Sequence, residues 1–196
     1  MPVWQWILIT VIILVVVAVA ILVLSMNRRK KSEGLQQRFG PEYQRTVSET
    51  GDTRAAEKQL ADREHERAKL DIVELSAESA QAYADRWRSV QTAFVDTPSR
   101  AVGDADRLVT DVMNERGYPV DDFEKRAADI SVDHPTVVEN YRAGHAIQLA
   151  QKYGDVGTEA QRQALVHYRA LFEKLLNQNS DRQTPQHTGT NREANS

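Results

Sequence analysis

From Val3 to Leu24 the chain carries no charged residue, and between Ile7 and Leu24 its only polar side chain is Thr10. Arg28-Arg29-Lys30-Lys31 follow directly. As a helix rising about 1.5 Å per residue, such a run covers roughly 30 Å, the thickness of a bilayer's hydrocarbon core. A transmembrane helix over residues 3–26 is therefore expected, with the lipid bilayer as a partner. A cleaved signal peptide would need a basic leading segment and a shorter apolar core. Here only Met1-Pro2 precede Val3. Cutting after Ala18-Val19-Ala20 would leave Ile21-Leu22-Val23-Leu24 as an apolar end.

Lys and Arg beside a span stay on the cytoplasmic side. All the flanking charge, Arg28, Arg29, Lys30 and Lys31, lies after the run. The expected orientation is a short N-terminus outside and a cytoplasmic C-terminal domain at the plasma membrane. Trp4 and Trp6 fall at the outer edge, where interfacial aromatic residues collect. The basic cluster reads first as a topology determinant with snorkelling anchors. Recognition of anionic lipid headgroups is the sharper reading, but four charges are at the low end for it. No charge lies inside the run to carry ions or protons, and no G-x-x-x-G marks a dimer face.

The soluble remainder suits one domain. The chain of 196 residues has 25 basic and 28 acidic residues, and without the four juxtamembrane cations the rest carries about −7. That sign disfavours nucleic acid as a partner, and no basic stripe interleaves with aromatics. The absence of cysteine excludes a thiolate zinc site, a cysteine nucleophile and a lipidated cysteine.

Spacing and punctuation read as all-α: a single N-terminal transmembrane helix, an irregular helical-bundle domain and a disordered C-terminal tail. Residues 27–51 form a basic linker with a short helix from Pro41, 52–176 the helical domain, and 177–196 a tail without large apolar residues. A charged helix from Asp52 to Leu70 has a thin apolar stripe, mainly Ala56, Leu60 and Ala68. It is solvated, or pairs along a narrow coiled-coil-like seam. Ser76 caps a helix to about Asp96, and Thr97-Pro98 caps and opens the next, ending at Arg116-Gly117. Asp121 to Glu124 has capping-box spacing for a helix through Ile130. Asp133-His134-Pro135 opens another to about Lys152, and Thr158 to Gln161 is a second capping box. No period-two alternation is long enough for a strand.

Chemistry-bearing motifs are sparse. No H-E-x-x-H, Glu-x-x-His, glycine-rich phosphate loop or nucleophile elbow occurs, so no catalytic residue, metal ligand or cofactor is assigned. His145 lies on an apolar face with Tyr141 and reads as a hydrogen-bonded core histidine. The densest constellation runs from Arg116 to His145. Tyr118, Asp133, His134, Glu139, Tyr141, Arg142 and His145 are its candidate pocket residues, against the plainer reading of breaks, caps and ion pairs.

Three words carry a resemblance: Arg38-Phe39-Gly40-Pro41-Glu42-Tyr43, Arg116-Gly117-Tyr118-Pro119-Val120-Asp121-Asp122-Phe123-Glu124, and Asp133-His134-Pro135. They resemble an uncharacterised family of small bacterial proteins with an N-terminal membrane segment and a helical domain. The resemblance covers the chain to about Leu176 and implies a bacterial envelope protein. The family has no established activity, so no functional residue is carried over. Members are often described as secreted, which leaves an extracytoplasmic or secreted domain as the alternative to the cytoplasmic one.

The leading expectation is a non-enzymatic, membrane-anchored module that binds another protein, through the charged helix from Asp52 or a groove near Tyr118 to His145. The rival is a ligand-binding or enzymatic domain using His134, Arg142 and His145, with Asp133 and Glu139 beside them. Arg142 and His145 stand at i, i+3 and face one side of a helix.

Overall fold

Glycine and proline punctuate a chain that is otherwise rich in helix formers, and the computed structural model follows that punctuation. It describes residues 3–154 and 156–177, which form eight α-helices and no strand. The helices are α1 (Val3–Phe39), α2 (Pro41–Thr50), α3 (Thr53–Ala68), α4 (Ala77–Ala93), α5 (Pro98–Glu115), α6 (Phe123–Asp133), α7 (Val138–Tyr153) and α8 (Gly157–Leu176). The expected tail lies outside the described residues from 178 onward. So do most side chains between residues 3 and 28, Trp6 and Arg28 among them. Among the described residues no helix is long and apolar enough to cross a membrane. Most side chains of the Val3–Leu24 run, on which the expected span rests, lie outside the described ones.

The chain divides into two compact units, Met1–His65 and Glu66–Ser196. The division falls inside α3. In the first unit, the expected linker is itself packed. Leu35, Phe39 and Tyr43 are buried, with Ala56 and Leu60 of α3, while Ala68 is exposed. Two reversals build this unit. Gly40 sits at φ 49 before Pro41, and Gly51 at φ 68, where its N–H closes onto Val47 O. Glycine enters that left-handed region without a Cβ penalty. Asp52 then caps α3, accepting from the N–H groups of Arg54 and Ala55 at 3.2 Å each. The end of α1 and α3 run parallel: Arg38 pairs with Glu64 at 3.0 Å, and Tyr43 OH bridges Ser32 at 3.4 Å and Glu57 at 3.0 Å. Glu42, fully buried, meets Arg63 at 2.7 Å. A carboxylate out of water needs such a partner.

The second unit is a bundle in which α8 packs on α5 and α7, α4 on α5, and α6 on α7. The apolar positions of α4 and α5 point inward as their three- and four-residue spacing predicts: Tyr83, Trp87 and Val90, then Val102, Ala105, Val109, Val112 and Met113 are buried. Trp87 stacks on Phe172 with ring centroids 4.7 Å apart, joining α4 to α8. Gly144 lets α7 approach α8, since a Cβ there would lie 3.2 Å from the Tyr168 ring. Leu149, at helical spacing from His145 on α7, is 38% exposed near the helix end.

Several expected helix ends shift. Ser76 caps α4 as read, accepting from Ser79 N–H at 3.0 Å. Thr97 does not cap α5; its hydroxyl donates backward to Ala93 O at 3.1 Å. Asp122, not Asp121, caps α6, accepting from Lys125 N–H at 2.8 Å. That helix continues to Asp133, so His134 ends it rather than opening the next one; its N–H bonds Ile130 O at 2.7 Å. The box at Thr158 to Gln161 does not form, because α8 starts at Gly157, two residues earlier than a Thr158 cap would place it, and Gln161 donates instead to Ser99 Oγ at 2.7 Å. At Thr97 and Gln161 a nearby backbone or side-chain acceptor engages the side chain in place of the local cap.

The segment between α3 and α4 is held by the end of α5. Ile72 and Leu75 enter the core, while Val73 is 48% exposed. Its backbone is bonded on both sides: Val73 N–H donates to Arg116 O at 3.0 Å, and Arg116 Nε donates to Val73 O at 3.2 Å. Arg116 is 2% exposed, and its Nη1 also donates to Leu175 O at 3.0 Å near the end of α8. A cation there meets the negative end of the helix dipole. Gly117 follows at φ 92 in a Schellman arrangement, with Gly117 N–H on Asn114 O and Tyr118 N–H on Met113 O.

Candidate functional site

The candidate pocket residues separate into two polar clusters and one surface pair. The first cluster centres on Asp133. Its Oδ2 accepts from Arg67 Nε and from Tyr118 OH, both at 2.5 Å. The Arg67 guanidinium also lies 5.8 Å from the centre of the Tyr118 ring. Burial first, then the Asp133 carboxylate, hold the Tyr118 hydroxyl protonated far above the ordinary tyrosine range. Tyr118 is thus a hydrogen-bond donor rather than a base.

His134, next in sequence, is buried, and burial pushes its pKa from 6.5 down to about 4, with Arg116, Lys174 and Arg67 adding to the effect and Asp133 opposing it. A histidine that folds neutral and unfolds into a chargeable form costs stability in acid. Its folded value is the depressed one, so its contribution is intact above pH 6.5 and is lost as pH falls towards about 4. The full shift corresponds to ~3 kcal/mol. Thermal melts of His134→Gln should therefore lose less stability than wild type across that interval, by roughly 6–10 °C. Equal slopes for the two proteins would show that His134 is not the group responsible.

The second cluster gathers Tyr141 and His145 of α7 with Asp106, Arg126 and Tyr168. Arg126 Nε donates to Tyr141 OH at 3.0 Å, and its Nη1 donates to Val120 O. His145 stacks on Phe123 with centroids 3.6 Å apart. Its Nδ1 stands 3.9 Å from Asp106 Oδ1, beyond hydrogen-bond reach. Among the described residues both atoms, and the Tyr168 hydroxyl beside them, are buried without a hydrogen-bond partner of good geometry. Burial and the neighbouring Asp106 raise the Tyr168 pKa, and burial raises that of Tyr141 against the pull of Arg126. An imidazole near a carboxylate is the pairing of a general base and its orienter. Here Phe123 covers the ring face, and none of the three described cavities opens onto it.

Arg142 and Glu139 pair with each other at 3.1 Å on α7. Tyr118, Asp133 and His134 thus belong to one neighbourhood, Tyr141 and His145 to another, and Glu139 with Arg142 to a third. Sequence reasoning missed Arg67, Arg126 and Asp106. Asp106 left a signal, since it falls at helical spacing with Val102, Val109 and Met113 on the buried face of α5.

Two of the three described clefts gather several cations. Between α4 and α5 a cleft of about 500 Å³ is lined by Arg86, Arg100, Asp104, Arg107 and Asp111, among others. Its cations are paired: Arg86 with Asp111 at 2.6 Å, and Arg100 and Arg107 with Asp104. In the first unit a cleft of about 610 Å³ is lined by Arg29, Lys31, Ser32, Arg54, Glu57, Lys58, Ala61 and Asp62. It brings Arg29 and Lys31 of the basic cluster against two cations of α3, a meeting invisible in the sequence because Gly40 and Gly51 create it. Among the described residues no group of three or more His, Asp or Glu is placed to hold a metal ion.

The described residues define an all-α helical-bundle protein. No family model, curated protein or solved structure matches the chain.

Proposed function

We propose that the chain is a single-pass membrane protein of the bacterial cell membrane, with its short N-terminus outside and its helical domain on the cytoplasmic side. The domain works without catalysis, as a protein-interaction or scaffold module. The observation that carries the reading is α1 itself. Val3–Phe39 is one uninterrupted helix, so the uncharged run passes without a loop into Leu35 and Phe39, which are buried. In the sequence, the uncharged run from Val3 to Leu24 has the length of a bilayer span, and exposed Arg29, Lys30 and Lys31 after it suit a cytoplasmic flank. Trp4, 61% exposed at the other end, suits the outer interface. The scaffold reading is supported by the fate of the polar residues between Tyr118 and His145, whose partners are largely one another.

A reporter active on one side of the membrane only, fused to the C-terminus, together with alkaline washing of membranes, tests the anchor and its direction. The chain is expected to stay with the washed membranes and to show cytoplasmic reporter activity. Release by alkali would remove the anchor, and external activity would reverse the orientation. Crosslinking in intact cells should then yield a discrete adduct with one partner, and its absence counts against the scaffold role.

A further inference from the structure

We infer that the cleft between α1 and α3 in the first unit binds the phosphate-bearing headgroup of an anionic phospholipid. The inference rests on the anchor reading, which sets the depth of the cleft. Arg29 and Lys31 lie five and seven residues beyond Leu24 on the continuous helix α1. At 1.5 Å per residue that is about 7–10 Å past the apolar end, the level of the headgroup layer and its edge. Because α3 runs parallel to the end of α1, it brings its first turns, with Arg54 and Lys58, to this same level.

Charge and pairing favour an anion. Four cations line the cleft against two carboxylates. Glu57 is engaged by Tyr43 OH at 3.0 Å, and Asp62 is exposed. Arg29, Lys31, Arg54 and Lys58 make no salt bridge among the described residues, unlike Arg86, Arg100 and Arg107 in the cleft of similar size between α4 and α5. Ser32 adds a hydroxyl to the lining. Arginine forks and lysine ammonium groups around a hydroxyl suit phosphate oxygens. The distribution of charge agrees. The first unit holds nine Lys and Arg against seven Asp and Glu, and the second sixteen against twenty-one. The unit that contains α1 is the one an anionic surface would attract.

The test uses the purified full chain in detergent, with bound lipid counted by native mass spectrometry. Phosphatidylglycerol and phosphatidylcholine are compared for wild type, for Arg54→Gln with Lys58→Gln, and for Arg162→Gln with Arg169→Gln. The last pair removes the same charge from exposed ion pairs on α8. Each cation near an anionic surface is worth about five-fold, so the α3 pair should reduce the preference for phosphatidylglycerol ~10-fold or more, and the α8 pair should leave it unchanged. An undiminished preference in the α3 variant overturns the inference. So does inorganic phosphate that displaces the lipid and alone stabilises the wild type as strongly, since the cleft would then be a free-phosphate site. The measurement needs no cell membrane. A chain that washes off membranes but keeps its lipid preference would defeat the anchor reading alone.

Discussion

Asp133→Ala lowers the melting temperature of the full chain by about 10 °C. The carboxylate accepts from Arg67 and from Tyr118 through one oxygen, at 2.5 Å each. The side chains of Arg67 and Asp133 are only 20% and 17% exposed, and Tyr118 is 2% exposed. Alanine leaves a largely desolvated guanidinium and a buried hydroxyl without their acceptor. Removing one partner of a buried pair costs about 3–5 kcal/mol, and the residual exposure here places the loss near ~3 kcal/mol. Tyr118→Phe deletes one hydrogen bond and keeps the ion pair, so it should cost ~1 kcal/mol. The two losses should not add in the double variant, because both run through Oδ2. Thermal denaturation followed by circular dichroism checks all three, and an Asp133→Ala melt within a degree or two of wild type would mean the cluster is solvated and worth little.

Gly117→Ala should be as damaging, for a reason that involves no charge. Gly117 sits at φ 92, and a Cβ there would lie 2.5 Å from the backbone oxygen of Asp71. The left-handed conformation alone costs a residue with a side chain roughly 1–2 kcal/mol. The contact adds to it because the neighbour cannot withdraw: Val73, two residues on, is tied to Arg116 through both its N–H and its carbonyl. A total of ~3 kcal/mol, again near 10 °C, is expected. Gly157 provides the comparison. It has φ 73 in the same unit, but open space where the Cβ would go. Its alanine variant should show the conformational term alone, about 3 °C. Equal effects at both positions would mean that contact with Asp71 is not what matters.

The helical class, the inward faces of α4 and α5, and the glycine that ends α5 were legible because they depend on spacing within one segment. Leu149 shows the limit of that reasoning: it stands at helical spacing from Tyr141 and His145, but it lies near the end of α7 and is exposed. Caps were read less well. Thr97 and Thr158 stand where capping chemistry allows, yet Thr97 bonds back to the preceding helix and Gln161 is drawn to Ser99. The candidate pocket gathered residues close in sequence and so held Tyr118 with Asp133, but it missed Arg67, the other donor to Asp133, and Arg126, the donor to Tyr141. The cleft at Arg54 and Lys58 was hidden for the same reason. Its two halves meet only after two chain reversals.

The bonds around Arg116 also bear on the order in which the molecule assembles. Its guanidinium joins carbonyls 43 and 59 residues away, and Arg67 reaches 66 residues to Asp133. Closing such loops spends chain entropy before the bond returns anything, so these contacts form after the helices have docked. Interactions absent from the folding transition state leave the folding rate almost untouched and govern the rate of escape. The Asp133 and Gly117 variants should therefore fold at nearly the wild-type speed and come apart faster. On these grounds the irregular segment between α3 and α4 should close late and govern the rate of unfolding, which stopped-flow unfolding of the two variants would measure.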